Sequence, residues 1–238
     1  MANKPFLAMT AREIAQCQRL PPHICWIDCR FSPDDNGLAD LPEELLPGSL
    51  LCLNDMVPLS GQDFQTITRQ LSDCITQFSC PAVLLDFQRP PTDETLSLVR
   101  HLVSELPRPV VVSDLYAGAL DCPVFLPPVP PSVPLWAHLL PWQGRNIWLE
   151  LGLDGEAILL TGEGSSVTSL PRFFPSEEGF SDTSLHCHYT IDVNETARFT
   201  LWRTREDLKD LIKEAEELGV SGFVGLYQEL ETSLYDKT

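Results

Sequence analysis

The chain has 238 residues, 43% of them hydrophobic, and a formal net charge of −18. That length suits one large α/β domain or two small ones, with apolar residues enough for a proper core. The charge argues against nucleic acid and anionic membranes as partners, because attraction to both comes largely from Lys and Arg.

The opening residues, "MANKPFLAMTAREIAQCQ", lack the uninterrupted apolar core of a secretory signal. No apolar run approaches the roughly 18 residues of a membrane span. The expectation is a soluble, cytoplasmic protein with no membrane partner. Residues 10–19 form a short helix. Strands follow at 23–29 ("HICWIDC") and 49–54 ("SLLCLN"). Over 62–79, Phe64, Ile67, Leu71, Cys74 and Phe78 recur at steps of three or four, the period of one helix face. The run "AVLLDF" (82–87) is a third strand. A second helix covers 92–106, with Leu96, Val99, Leu102, Val103 and Leu106 on one stripe. Further strands lie at 109–114 and 123–126. The latter opens "PVFLPPVPPSVP", which reads as a stiff connector, with a polyproline ligand as the alternative. Residues 146–161 read as a hairpin turning at "LDGE", since Asp-Gly favours such turns. Residues 162–184 read as a long loop; "TGEGSSVTS" (161–169), at its start, reads as a turn, since it lacks the Lys of a phosphate loop and does not lead into a helix. Strands at 185–191 and 220–226 flank a third helix, 205–218. Thr204 and Asp207 have capping-box spacing at its start, and Gly219 ends it.

Most of these strands are nearly continuous in hydrophobicity, as parallel strands covered on both faces should be. Eight strands in a strand–loop–helix rhythm predict an irregular (β/α)8 TIM-type barrel, with an incomplete helix ring and a β-hairpin insertion. The whole chain, 1–238, reads as one such domain. The eight cysteines include no C-x-x-C pair and sit mostly in apolar runs, as reduced, buried thiols do. In "LHCHYTID", His186 and His188 share one strand face; zinc is one reading and ordinary hydrogen bonding the other, preferred one. No metal site and no cofactor is predicted.

In a barrel of this class, function sits at the C-terminal ends of the strands. The polar groups there are Asp28 and Arg30, Asn54 and Asp55, Asp86, Gln88 and Arg89, Asp114 and Tyr116, Glu150, His188 and Tyr189, then Tyr227, Gln228 and Glu229. Of these, Asp86 and Gln88 are the candidate reacting groups. Asp28, Asp114, Tyr116, Glu150, Tyr227 and Glu229 are candidate ligand contacts. Trp136 and Trp142 are candidate sugar-stacking platforms.

The stretch "PAVLLDFQRPPTDETLSLVRHLVSELPRPVVVSD" resembles glycoside hydrolase family 18, the chitinase-like barrels, as does "TREDLKDLIKEAEELGVSGFVGLYQEL" near the end. Together they cover about a quarter of the chain. In that family the fourth strand ends in D-x-x-D-x-D-x-E. Here Pro81, Leu84, Asp86 and Gln88 take those four positions, and "AVLLDF" is third in the count of strands above. The resemblance implies that the last Asp positions the substrate's acetamido group and that the Glu protonates the leaving oxygen. A Gln amide has no acidic proton to give. Three functional readings follow. The first is a degenerate barrel, lacking chitinase activity, that binds a carbohydrate at its mouth. The second is an active glycoside hydrolase using another carboxyl pair among Asp28, Asp86, Asp114, Glu150 and Glu229. The third is a structural or interaction protein whose mouth is filled.

Overall fold

The computed structural model describes residues 4–171, 173, 179–194 and 196–230. In chain order its elements are β1 (Phe6–Met9), α1 (Ala11–Gln16), β2 (Ile24–Phe31), β3 (Leu38–Ala39), β4 (Leu50–Asn54), α2 (Phe64–Phe78), β5 (Val83–Asp86), α3 (Asp93–Glu105), β6 (Val110–Ser113) and α4 (Asp114–Ala117). Then come β7 (Val124–Leu126), α5 (Leu135–Leu139), β8 (Ile147–Leu151), β9 (Gly155–Thr161), β10 (Gly164–Leu170), β11 (Phe180–Asp182), β12 (Cys187–Val193), β13 (Ala197–Trp202), α6 (Arg205–Glu217), β14 (Val220–Leu226) and α7 (Tyr227–Leu230).

Strands β1, β2, β4, β5, β6, β7, β8 and β14 are joined in that order by parallel pairings. β1 also pairs with β14, so the sheet closes into an eight-stranded barrel. The expected irregular TIM-type barrel is the observed fold. Long helices α2, α3 and α6 cover part of its outside, and short helical turns stand in for the others. Their apolar stripes pack on the outward residues of the strands; in α2 these are Ile67, Leu71, Cys74, Ile75 and Phe78. Thr204 and Asp207 form the expected capping box on α6.

Four expectations change. β1, only four residues long, was not foreseen; with it counted, "AVLLDF" supplies the fourth barrel strand. Residues 185–191 do not join the barrel. They form most of β12, in a separate antiparallel sheet of order β10-β9-β13-β12-β11, inserted between the seventh and eighth barrel strands. Its strands are far more exposed than the barrel strands: β12 is buried at Cys187, half-buried to Thr190 and exposed from Ile191 on, and β10 is exposed over most of its length, because this sheet is not covered on both sides. The unit leading to the last barrel strand is therefore β8–insertion–α6–β14. Residues 146–161 are not a hairpin: β8 belongs to the barrel and β9 to the inserted sheet. Residues 162–184 are not one long loop, since they contain β10 and β11; of the turn expected over 161–169 only Gly162 and Glu163 turn, between β9 and β10, and the rest is strand.

The proline-rich segment after β7 ties the two sheets together. Arg203, buried at the end of β13, donates to the carbonyl oxygens of Val129 and Pro130 on one side and of Leu185 and His186 on the other. His186 and His188 contact carboxylates of α6: His186 Nε2 lies 2.5 Å from Glu214 Oε2, and His188 Nδ1 lies 2.9 Å from Asp207 Oδ2. The ordinary reading of these histidines fits this geometry.

The N-terminal half of the barrel interior is filled by aromatics. Phe6 of β1 stacks on Trp148 of β8, ring centres 5.9 Å apart. Gly222 of β14 makes room for the indole: a Cβ there would lie 2.5 Å from the Trp148 ring. Above this layer the interior residues are mostly smaller, including Ala8, Cys52, Leu84 and Val224. The barrel is therefore plugged at one end and open at the other. Gly222→Ala is expected to destabilise the fold by about 1–3 kcal/mol, the usual cost of overpacking, read as a lower urea midpoint with an unchanged slope.

Candidate functional site

The open end is the C-terminal end of the strands. A cavity of ≈ 500 Å³ lies there. Its floor is apolar, formed by Cys52, Leu84, Phe125 and Val224. Its polar lining is Asn54, Asp55, Asp86, Gln88, Arg89 and Glu150. The strand period of two explains the selection. Leu84 points inward on β5, so Asp86 and Gln88, two and four residues on, follow it on the same side. Trp148 and Glu150 stand in the same relation on β8.

The loop carrying Gln88 is held from below by one carboxylate. Asp55, buried just after β4, accepts the backbone N–H of Gln88 (3.0 Å) and of Arg89 (2.8 Å). The Arg89 side chain turns back, donating to the carbonyl oxygens of Asp55 (2.7 Å) and Met56 (2.8 Å). Tyr116 donates its hydroxyl to the Arg89 carbonyl (3.0 Å), and Ser113 donates to that of Phe87 (2.9 Å). Asn54 donates to the Ile27 carbonyl across β2 and accepts from Met56 N–H. The backbone beneath Gln88 is thus fixed at every residue from Phe87 to Arg89. From it, the Gln88 amide donates to both oxygens of Asp86 at 3.3 Å.

Asp86 and Glu150 are the two carboxyl groups of the cavity lining whose oxygens are not taken up by backbone N–H groups, as those of Asp55 are. Burial raises the Asp86 carboxyl, the Gln88 hydrogen bond opposes that, and the negative charge of Asp55 adds to it. Glu150 is raised from 4.5 to about 7, first by burial, then by the negative charges of Asp86, Asp154 and Glu229. Among the described residues no cation offsets either shift. Glu150 makes no hydrogen bond or ion pair to any other described residue.

Of the sequence candidates, Asp86, Gln88 and Glu150 come together in this cavity. The others lie outside its lining. Asp28 accepts the N–H of Ala11 (2.7 Å), at the start of α1. Asp114 accepts the N–H of Leu115 at the start of α4. Tyr116 is buried and acts through Arg89. Tyr227 contacts Cys17 Sγ at 3.5 Å, and Glu229, buried, accepts the N–H of Leu153 (3.0 Å). Trp136 is exposed and Trp142 lies under the Arg145 guanidinium; neither lines the cavity. Asp55 and Arg89 stood among the strand-end groups without an assigned role. Their importance lies in backbone contacts, which leave no residue pattern. The floor residues were accessible to the period-two rule, counted back from Asp86 and Glu150.

No family model matches the chain, and no curated protein sequence does. Solved structures do. A glycoside hydrolase family 18 N-acetylglucosaminidase from Paenibacillus barengoltzii superposes with a TM-score of 0.63 at 10% identity, over 98% of this chain and 99% of that one. A family 18 chitinase from Cycas revoluta, in a double variant that includes a Glu→Gln change and in complex with (GlcNAc)4, matches with a TM-score of 0.57 at 12% identity, over 97% of each chain. The spore cortex-lytic enzyme SleL of Bacillus cereus matches with a TM-score of 0.55 at 10% identity, over 94% of this chain and 70% of that one. The chain therefore shares the fold of the chitinase-like glycoside hydrolase barrels.

The raised Glu150 carboxyl makes stability depend on pH. Below about pH 4.5 the group is protonated in both folded and unfolded chains. Between there and about 7 the unfolded chain ionises first, so rising pH favours unfolding; above 7 the penalty is constant. Glu150→Gln removes that penalty. It is expected to stabilise the protein at pH 8 by about 3 kcal/mol and to change little at pH 4, measured by urea unfolding at the two pH values.

Proposed function

We propose that this chain is a degenerate chitinase-like barrel. It binds an N-acetylglucosamine-type oligosaccharide in the mouth cavity and has lost the proton donation that such barrels make from the end of the fourth strand. The observation that carries this reading is the cavity itself: open, apolar-floored, and edged by Asp86 and Gln88 at the end of the fourth barrel strand.

The chemistry of the pair supports binding over family-type catalysis. Sugar rings present apolar faces to a floor such as Leu84 and Phe125, and hydroxyl and acetamido groups to a polar rim. Gln88 both donates and accepts, so it can bond a sugar hydroxyl or the acetamido N–H. Held by Asp55 and bonded to Asp86, it needs little ordering on binding, which favours affinity. What it cannot do is transfer a proton to a leaving oxygen. A Glu→Gln change in the Cycas revoluta chitinase is compatible with a bound tetrasaccharide, and an amide at position 88 is no obstacle to a similar ligand. The described residues of 127–134 and 162–184 do not line the cavity, which argues against a mouth filled by either segment.

Isothermal titration with the N-acetylglucosamine tetramer tests this. The native protein is expected to bind, and Asp86→Ala to weaken binding at least about ten-fold, the loss of one or two polar contacts. Absence of binding by the native protein sinks the proposal. In a second arm, Gln88→Glu places a carboxyl where the family carries its acid; it is expected to raise hydrolysis of the tetramer above the native level, read as new reducing ends.

A further inference from the structure

The cavity holds a carboxyl that the reading above leaves idle. Glu150 projects from the seventh barrel strand, while Asp86 and Gln88 project from the fourth. The two strands are separated by β6 and β7, so the groups enter the cavity from different walls. Glu150 has no described hydrogen-bond partner to fix or neutralise it. The groups that face it are Asp86 from β5, Asp154 from the loop after β8 and Glu229 from α7, all acidic. The one basic group of the lining, Arg89, has its guanidinium engaged by the carbonyls of Asp55 and Met56. Asp55 in turn is occupied by the two backbone N–H groups of the Gln88 loop. Asp86 and Glu150 are thus the carboxyl groups free to act on whatever fills the cavity.

We infer that the proton donor has moved from the fourth strand to the seventh: Glu150 acts as general acid and Asp86 as general base in the hydrolysis of a glycosidic bond held between them. This rests on the proposal that a glycan occupies the mouth. In the step, the bond between the anomeric carbon and the bridging oxygen breaks, and its electron pair stays on that oxygen. The oxygen takes the proton of the Glu150 carboxyl. A water on the Asp86 side attacks the anomeric carbon and passes a proton to the Asp86 carboxylate. The products are an alcohol and a hemiacetal. The Asp86 proton returns to Glu150 through solvent, so the net change is addition of one water. Two carboxyl groups on opposite sides of the scissile bond are what this chemistry needs, with one protonated and the other ionised. The environments divide the roles. Burial, then the surrounding negative charges, hold the proton on Glu150 to about pH 7; burial also raises Asp86, but there the Gln88 amide opposes the shift by bonding the ionised form. Gln88 becomes a positioning residue: it bonds the base and aligns it.

The experiment follows release of reducing ends from the N-acetylglucosamine tetramer, with binding of the same tetramer measured in parallel. The native protein is expected to turn over. Glu150→Gln is expected to lower kcat at least about 100-fold, within the usual contribution of a general acid, while the dissociation constant changes less than about three-fold. The native rate should fall ten-fold per pH unit above about 7, as the donor loses its proton, and Glu150→Gln should lack that limb. A purely structural role for Glu150 gives no such change in the pH profile, and the stability measured at pH 8 reports separately whether the variant is folded. Binding without turnover overturns this inference and leaves the binding proposal standing. Turnover undiminished in Glu150→Gln also overturns it. No binding and no turnover overturns both.

Discussion

The closure of the barrel depends on one four-residue strand near the N-terminus. β1 pairs in parallel with β14 on one side and β2 on the other, and this four-residue strand turns an open sheet into a ring. Closure gives every inward side chain a common interior. It lets Phe6, at the start of β1, meet Trp148 of β8 past Gly222 of the intervening β14 and plug one end. It also makes β5 the fourth strand, the one at whose end the sequence resemblance expects the family's motif. Without β1 the interior would be a groove with two exposed edges.

Given closure, the mouth is built by size grading and by one buried charge. Large rings fill the lower interior; Ala8, Cys52, Leu84 and Val224 above them leave room for a ligand. Asp55 then fixes the rim. A buried carboxylate is tolerable because it accepts two backbone N–H groups, and the Arg89 and Tyr116 side chains bind the same stretch from above and beside. The result is a rim whose backbone is set before any ligand arrives. The electrostatics of the cavity follow from what the clamp consumes. It uses the only basic side chain of the lining, and Asp86 and Glu150 remain to face each other without a counter-charge.

The sequence made the barrel class legible because seven of its strands are apolar runs broken by helices or turns at the right spacing. β1 escaped because "FLAM" is brief and runs directly into the capped turn at Thr10 and Glu13, so the strand count fell one short at β5. The inserted sheet was misread for a different reason. "CHYTI" belongs to a sheet not covered on both sides, yet beside α6 and β14 it imitated a further βαβ unit. In the site, Asp86, Gln88 and Glu150 were visible as polar ends of apolar runs. Asp28, Asp114, Tyr116, Tyr227 and Glu229 obey the same pattern, but their side chains are spent on backbone N–H groups, carbonyls or a thiol. Pattern places a residue at a strand end; only packing decides whether its side chain turns into the barrel or back onto the chain.

The proposed oligosaccharide would occupy the cavity between the fourth and seventh strands. A crystal structure of Glu150→Gln soaked with the N-acetylglucosamine tetramer tests this most directly. The expected result is a sugar ring over Leu84 and Phe125, with Asp86 and Gln88 within hydrogen-bond distance of its acetamido group or hydroxyls and residue 150 near a bridging oxygen. A tetramer bound elsewhere, on the inserted sheet or at Trp136, with the cavity holding only water, would contradict it.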